Sequence, residues 1–231
     1  MSSEIITAYQ HSLRPVAQHQ TLPGLDSKMD PIAEWTKLEQ WDNAGKPFLA
    51  EYVGSGKLRG KSAIITGGDS GIGRSATVMF AREGANVSIV YQPEEQSDAE
   101  AVKKSVEEAG QKCLLIPGDL CKRDFCEQVV AKHIAEYGGL NILVNNAAKQ
   151  GMEPDIADID LDFTELTFRT NILSIFAITK YAVPHMKRGS AIINSTSVGA
   201  YLGEPMAAKL DYSSTSKDVP VFILADTNKA K

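Results

Sequence analysis

Residues 63–73 read Ala-Ile-Ile-Thr-Gly-Gly-Asp-Ser-Gly-Ile-Gly, an apolar run that leads directly into a glycine-rich turn. The following segment predicts an amphipathic helix whose apolar face carries Ile72, Ala76, Met79 and Phe80. Strand, tight turn and helix start therefore succeed one another. Glycines in such a turn let the backbone approach a pyrophosphate, whose charge is stabilised by the N–H groups at the helix N-terminus. The stretch indicates a dinucleotide site, and a glycine-rich loop without a ligand is the alternative.

The bulk composition is typical of a globular domain and points away from several classes of function. The 231 residues are 43% hydrophobic and 23% charged, which suffices for a sizeable core. A formal net charge of −5 favours neither nucleic acid nor an anionic membrane as a partner. No apolar run approaches the roughly 20 residues that cross a bilayer, and no secretory signal is visible. Cys113, Cys121 and Cys126 lack metal-site spacing, so we expect reduced thiols, no metal and a cytoplasmic location.

The pattern divides the chain into two parts. Residues 1–57 show no sustained periodicity but carry two tryptophans, Trp35 and Trp41, so we expect an extended N-terminal arm that lies on the body. Residues 58–231 alternate short apolar runs with helical stretches, as a dinucleotide-binding domain does. Continuous apolar strands indicate a parallel sheet covered on both faces. The predicted fold class is α/β, a doubly wound parallel sheet of the Rossmann-like kind.

Five strands and the helices between them are predicted in this second part. The strands are residues 63–66, 85–91, 113–116, 141–145 and 190–194. Helices follow the first three strands and end near the glycines at 84, 110 and 138–139. One long helical stretch is predicted from about 162 to 185.

The segment Thr66–Gly73 matches the Thr-Gly-x-x-x-Gly-x-Gly pattern of the short-chain dehydrogenase/reductase family, which this chain resembles. Three further segments agree with that family in order and spacing, namely 119–120, 145–148 and 170–172. Residues 52–58 before the first strand, together with the Gly-Gly-Asp-Ser-Gly-Ile-Gly loop, make the chain most similar to the subgroup with a long N-terminal arm. The resemblance implies NAD(P)-dependent hydride transfer between a nicotinamide and a small carbonyl or alcohol. It also implies a homo-oligomer, through a helix that this chain would contain only in part.

The resemblance also implies a set of cofactor-binding residues. They are Thr66, Gly67, Asp69, Ser70, Gly71, Ile72, Gly73, Tyr91, Asp119, Leu120, Asn145 and Ala147. Asp119 would contact the adenine, and the turn 145–147 would line the cofactor cleft. Two simpler interpretations stay open: Asp119 could cap the turn that follows it, and 145–146 could be an ordinary loop after a strand.

The residues that would choose between NAD and NADP give a mixed pattern. An acidic side chain at the end of the second strand would bind a ribose 2′-hydroxyl and repel a 2′-phosphate. That position holds Tyr91, followed by Gln92, and Pro93-Glu94-Glu95 is interpreted as the first turn of a helix. Arg74 is the nearest candidate cation, although a solvated surface arginine is the alternative. The pattern favours NADP, with NAD as the other possibility.

Proton transfer at the substrate oxygen needs a side chain with a suitably shifted pKa. A free tyrosine has a pKa near ~10, and a lysine ammonium within about 4–6 Å lowers it. The resemblance implies that Tyr212 is the acid/base, that Ser197 holds the substrate oxygen and that Asn171 holds a water in the proton path. Lys217 is the candidate lysine of this set.

The spacing of Tyr212 and Lys217 departs from the family pattern, in which the lysine follows the tyrosine by four positions. Here the lysine is five positions on. A fourth neighbour lies about 40° around a helix and a fifth about 140°, so we expect Lys217 to face away. Pro220 interrupts the helix soon afterwards.

We also expect the chain to lack the last strands and helices of the family, in which case the segment after Thr215 could reflect a frame change or a retained intron. The alternative function is therefore a catalytically inactive nucleotide-binding remnant. The sequence leaves the substrate open.

Overall fold

The computed structural model describes residues 6–9, 20, 24–151 and 156–197. Its strands form a hairpin and a larger sheet. The antiparallel hairpin consists of β1 (Lys37–Trp41) and β2 (Pro47–Glu51). The parallel sheet has the order β5-β4-β3-β6-β7, with β3 at Ser62–Thr66, β4 at Asn86–Tyr91, β5 at Cys113–Pro117, β6 at Leu140–Asn145 and β7 at Met186–Asn194.

The helices connect consecutive strands of the parallel sheet. They are α1 (Gly71–Arg82), α2 (Gln96–Glu108), α3 (Arg123–Tyr137), α4 (Leu161–Phe168) and α5 (Ser174–Ala182), with short 3₁₀ turns at Asp26–Lys28, Pro93–Glu95, Ile156–Asp158 and Val183–His185. Within the ranges given above, no helix combines the length and apolarity that a membrane span requires.

Two apolar layers cover the two faces of the sheet. On one face, Ile65 and its neighbours pack against Val78 of α1 and Val102 of α2. On the other, Ile64 packs with Val129 of α3 and Ile178 of α5. Adjacent residues of β3 point to opposite faces, so the centre of this buried parallel strand, residues 63–65, is apolar at consecutive positions. The predicted doubly wound α/β fold is confirmed. The expectation of missing last strands concerns residues after Ser197, which lie outside the described part of the chain.

The apolar face predicted for α1 is observed only in part, since Phe80 packs against the core but Ile72 does not. The buried residues of this helix include Gly73, Thr77, Val78 and Ala81, whereas Ile72 is 75% exposed. Part of the cause is the close approach of α1 to the glycine-rich turn, since a Cβ atom at Gly73 would meet the Gly67 carbonyl and the Thr77 hydroxyl donates to the Gly68 carbonyl at 3.2 Å. Hydrophobic spacing therefore located the helix correctly and misplaced part of its buried face.

The single helix predicted from 162 to 185 is interrupted. A π-helical turn, Arg169–Leu173, separates α4 from α5. A π-turn takes up one more residue than an α-turn and shifts the faces of the two helices relative to each other. Asn171 lies within this turn and is buried.

The hairpin was not predicted, although a signal for it exists. The side-chain Oδ1 of Asp42 accepts hydrogen bonds from the backbone N–H groups of Ala44 and Lys46, both at 2.9 Å, and Gly45 has φ +75°. The segment Asp42-Asn43-Ala44-Gly45 is thus a turn between two strands of five residues each.

One buried carboxylate fastens the segment after the hairpin to the end of α1. Glu83 is 5% exposed, and its Oε2 accepts hydrogen bonds from the N–H groups of Ser55 at 3.0 Å and Lys57 at 2.8 Å. The Tyr52 hydroxyl donates to Oε1 of the same carboxylate. Together these bonds, that of Tyr52 first, lower the pKa of Glu83 to about 2. The hydrogen bonds therefore stabilise the charged form of Glu83.

A buried histidine makes stability depend on pH. His133 of α3 is fully buried, with Nδ1 2.7 Å from the Ser88 hydroxyl and Nε2 3.2 Å from the Ser62 hydroxyl. Burial lowers its pKa from about 6.5 to about 4. The unfolded chain therefore binds the proton first as pH falls, and the stability contributed by neutral His133 is lost progressively between pH 6.5 and pH 4. Up to about 3 kcal/mol is involved.

We predict that His133→Gln weakens this pH dependence. The free energy of unfolding, measured by urea denaturation at several pH values, should fall less between pH 7 and pH 4.5 in the variant than in the wild type. His185→Gln, at an exposed position, is the matched control and should retain the wild-type dependence. Identical pH dependence in His133→Gln and the wild type would contradict the assignment.

Candidate functional site

The sheet topology creates a crevice beside its central strand. From β3 the chain proceeds outward to β4 and β5, then returns to β6 on the other side of β3. Ligands of open α/β sheets bind at such a switch point, outside the carboxyl ends of the strands. A cavity of about 870 Å³ lies there. It is lined by residues that follow all five parallel strands, together with residues of α4, α5 and the π-turn.

The glycine-rich turn forms one side of this cavity. Gly67 has φ +63°, a conformation that side chains other than glycine rarely adopt. At Gly73 a Cβ atom would lie 1.8 Å from the carbonyl oxygen of Gly67, so only glycine allows the helix to start this close to the strand end. Ser70 is the N-cap residue of α1, yet its side chain makes no capping hydrogen bond. The loop thus presents a helix N-terminus to the cavity, as a phosphate-binding turn does.

Hydrogen bonds across the crevice join this turn to the segment after β6. The Thr66 hydroxyl accepts from the backbone N–H groups of Asn146 at 2.9 Å and Ala147 at 3.0 Å. The side-chain amide of Asn146 donates to the Gly67 carbonyl at 3.2 Å. Thr66 is buried and does not line the cavity, so its structural part is to hold the two loops together.

Acidic side chains surround the same end of the cavity. Asp69 is 1% exposed, and its Oδ2 has no hydrogen-bond partner among the described residues. Burial raises the pKa of Asp69 to about 6. Burial and the nearby Asp69 carboxylate raise the pKa of Glu95 to about 7. Tyr91, at the end of β4, also borders the cavity. A ligand group that donates a hydrogen bond would therefore find an acceptor here.

Asp119 caps a turn and also borders the cavity, and its contact with an adenine stays a prediction. Its Oδ1 accepts a hydrogen bond from the Cys121 N–H at 2.9 Å, which caps the turn after β5. Asp119 and Leu120 also line the cavity. Capping therefore fixes the position of a side chain that faces the same space as the glycine-rich turn.

Asn171 ties the π-turn to the opposite side of the crevice. Its Oδ1 accepts from the Lys149 N–H at 2.7 Å, and its Nδ2 donates to the Lys149 carbonyl at 2.9 Å. This pair of bonds fixes the amide plane at the cavity wall. Asn145 lies between the two sides, with its Nδ2 donating to Asn194 Oδ1 at 2.7 Å and its own Oδ1 lacking a partner within the described ranges.

The end of β7 brings hydroxyl groups to the cavity. Ser195 donates to Asn146 Oδ1 at 3.1 Å, and Ser195 and Thr196 line the space. Ser197 follows directly and is not among the lining residues. Tyr212 and Lys217 lie outside the described residues.

Arg74, the candidate cation for a 2′-phosphate, is not a solvated surface residue. It is 7% exposed, and its guanidinium lies 5.0 Å from the ring centroid of Trp35 and 3.6 Å from the Asp26 carboxylate. Its Nε donates to the Asp69 carbonyl at 3.2 Å. These contacts engage the positive charge, and Arg74 does not line the cavity.

The sequence reasoning missed the contribution of the N-terminal arm. Gly24 lines the cavity, and Asp26 accepts a hydrogen bond from the Gly71 N–H at 2.8 Å. Asp26 and Gly71 are 45 positions apart, and no spacing rule connects them. Lys149 was also missed, and among the described lining residues it is the sole basic one.

The residues present fit a dinucleotide. The lining of the cavity runs from the glycine-rich turn to Asn171 and includes a helix N-terminus. Among the described residues, two buried acceptor atoms in this lining lack partners, Asp69 Oδ2 and Asn145 Oδ1. Buried unpaired acceptors are costly, and hydroxyl or amide donors of a ligand would satisfy them.

Comparison with known proteins assigns the family. The short chain dehydrogenase family matches residues 61–222. An uncharacterized oxidoreductase of Bacillus subtilis, YhdF, is 48% identical over 206 residues, which cover 89% of this chain and 66% of that protein. NADPH-dependent aldehyde reductase 1 of Arabidopsis thaliana is 43% identical over 178 residues, covering 75% of this chain and 61% of that protein. The chain belongs to the short-chain dehydrogenase family.

Solved structures agree with this fold. A short chain dehydrogenase from Burkholderia cenocepacia in complex with NADP has a TM-score of 0.64 and 29% identity, over 70% of this chain and 64% of that one. An NADH-dependent reductase, A1-R′, complexed with NAD has a TM-score of 0.63 and 27% identity, over 70% and 69%. The chain thus spans about two thirds of the length of the proteins that it resembles.

Proposed function

We propose that this chain binds a nicotinamide dinucleotide and serves hydride transfer between that cofactor and a small carbonyl or alcohol. The observation that carries the proposal is the glycine-rich turn, which sets the N-terminus of α1 against a cavity of about 870 Å³ at the sheet's switch point. The names of the relatives, oxidoreductase and aldehyde reductase, support the reaction class.

The described residues would divide the binding between them. Backbone N–H groups at the start of α1, other than the Gly71 N–H that Asp26 accepts, would hold the pyrophosphate, and Asp69 Oδ2 would accept a hydrogen bond from a ribose hydroxyl. Asp119 and Leu120 would border the adenine, and the turn 145–147 would lie along the middle of the cofactor. The bound nicotinamide supplies the hydride acceptor or donor.

For the proton, we propose the arrangement that the family resemblance implies. Asn171, held by Lys149, would orient a water, and Ser197 would hold the substrate oxygen beside Tyr212. Lys217 would favour the ionised form of Tyr212 only if the two side chains approach each other. Their five-residue spacing is the reason that we expect turnover to be weak.

The choice of cofactor is part of the proposal. The preference for NADP rested on the absence of an acidic residue at the end of the second strand and on Arg74, and the second argument loses support because Asp26 and Trp35 engage the guanidinium. Acidic residues at the same end, Asp69, Glu94 and Glu95, favour a ribose with free hydroxyl groups. NAD is therefore the cofactor that the local charges support better.

Two measurements test the proposal. Isothermal titration calorimetry on monodisperse protein should detect binding of NAD or NADP, and absence of heat with all four oxidised and reduced nucleotides would refute it. Spectrophotometry with NADH or NADPH and a panel of small aldehydes should then show slow oxidation of the reduced cofactor.

Cofactor binding without turnover of any aldehyde would support the alternative function, a catalytically inactive nucleotide-binding protein. The spacing of Tyr212 and Lys217 is the reason for that alternative. No observation in the described part of the chain favours that alternative. Turnover at rates usual for enzymes, about 1–10³ per second, would show instead that the five-residue spacing of Tyr212 and Lys217 does not reduce catalysis.

A further inference from the structure

The N-terminal arm reaches the glycine-rich turn through one aspartate. Asp26 Oδ2 accepts the hydrogen bond of the Gly71 N–H at 2.8 Å and lies 3.6 Å from Arg74 Nη1. The side chains of both charged residues are largely buried, with 15% of Asp26 and 9% of Arg74 exposed. The contact therefore joins an arm residue to the first residue of α1 and to the cation behind it.

Other contacts hold Asp26 in place. Its backbone N–H donates to Asp98 Oδ2 at 3.0 Å, and Asp98 of α2 is 3% exposed. The ring of Trp35, also in the arm, lies 5.0 Å from the Arg74 guanidinium. Asp26 is thus held by α2 through Asp98, and a second arm residue, Trp35, lies against the arginine that Asp26 contacts.

A phosphate bound beside the start of α1 would need the Gly71 N–H and the Arg74 guanidinium, and Asp26 already contacts both. A helix-terminal N–H together with a guanidinium is a favourable pair for a phosphate. The Asp26 carboxylate already accepts the hydrogen bond of the Gly71 N–H and neutralises the Arg74 guanidinium. Asp98 accepts the Asp26 N–H, and the charges of Asp26 and Asp98 both act on the Asp69 carboxyl, so among these four described residues three carboxyl groups face one arginine.

Asp69, which lines the cavity, favours a ligand with hydroxyl donors. Asp69 is buried to 99%, it lines the cavity, and its Oδ2 lacks a partner within the described ranges. A ribose hydroxyl can donate to this oxygen, whereas a 2′-phosphate presents only further acceptors and negative charge.

We infer that Asp26 is a specificity-determining residue of the dinucleotide site, which makes the site accept a free 2′-hydroxyl and reject a 2′-phosphate. It acts from the N-terminal arm, by neutralising Arg74 and occupying the Gly71 N–H. The inference rests on the proposed function, since it requires that the cavity binds a nicotinamide dinucleotide.

The test is the ratio of affinities for NAD and NADP, measured by isothermal titration calorimetry. The wild type should bind NAD more tightly. Asp26→Asn keeps the size of the side chain and an acceptor for Gly71 but removes the charge, so the affinity for NADP should rise about tenfold relative to that for NAD. The fragment 2′,5′-ADP should gain in parallel, and 5′-AMP should not.

Two further variants sharpen the experiment. Asp124→Asn removes an equal charge from an exposed position on α3 outside the cavity, and it should leave the ratio unchanged. In the double variant Asp26→Asn/Arg74→Met, most of the gain for NADP should disappear, because the freed guanidinium produces it. A gain fully retained in the double variant would overturn the role of Arg74.

The outcomes separate the inference from the proposed function. If the wild type binds no dinucleotide, the proposed function and the inference both fail. If it binds NAD or NADP but Asp26→Asn leaves their ratio unchanged, or strengthens both equally, the inference alone fails. An equal gain would place Asp26 in competition with the pyrophosphate that both cofactors share.

Discussion

Gly73→Ala is expected to weaken dinucleotide binding by on the order of 100-fold, which corresponds to about 3 kcal/mol. The new Cβ atom would lie 1.8 Å from the Gly67 carbonyl oxygen and 2.7 Å from Asn146 Nδ2, and both belong to loops that line the cavity. Backbone atoms cannot yield locally, so the turn must move away from α1. The N–H groups that would hold the pyrophosphate move with it.

The matched control is Gly139→Ala, where a Cβ atom would meet nothing within 4 Å. Titration calorimetry should give wild-type affinity for this control and an affinity on the order of 100-fold lower for Gly73→Ala. Circular dichroism on both variants tells a local change in the turn from loss of the fold. Wild-type affinity in Gly73→Ala would show that the glycine-rich turn does not hold the cofactor.

Glu83→Ala is expected to destabilise the fold at a point away from the cavity. Removing the carboxylate leaves the N–H groups of Ser55 and Lys57 and the hydroxyl of Tyr52 without their acceptor. Because this contact fastens the arm to α1, we expect Tm to fall by on the order of 10 °C. Residues 52–58 should also become accessible to proteases.

We also expect the contribution of Glu83 to the stability of the fold to depend on pH. Its pKa is lowered to about 2, so its contribution is present above pH 4.5 and is lost as pH falls toward 2. Glu127→Ala, at an exposed position of α3, is the control for thermal unfolding and proteolysis. Equal Tm values for Glu83→Ala and Glu127→Ala would mean that the hydrogen bonds to Glu83 contribute nothing to stability.

The elements that the sequence predicted well are those whose physics is local. Residues 63–66 and 113–116 are continuous apolar runs, and each forms a strand. Gly84 and Gly138, both at positive φ, stand where the first and third helices were predicted to end. Strong local signals of this kind do not depend on distant contacts, which is why they predicted the parallel sheet and the position of its crevice.

The predictions that failed depended on contacts between distant residues. The buried face of α1 follows in part from its approach to Gly67, and hydrophobic spacing takes no account of that contact. The alternative that Arg74 is a solvated surface residue was wrong, because Asp26 and Trp35, both distant in sequence, pack against it. Asp42 shows a different failure, since its turn signal was present in the sequence and was not used.

The π-turn at Arg169–Leu173 has a consequence for how the chain tolerates changes in length. Deleting one residue there would let α4 and α5 merge into a single regular α-helix. α5 would then be rotated by about 100° relative to α4. The Asn171 side-chain amide would lose its hydrogen bonds to the Lys149 backbone. The extra residue of the π-turn thus sets the orientation of the Asn171 side-chain amide. We therefore expect insertions and deletions among related sequences to fall in the surrounding loops and not in this turn.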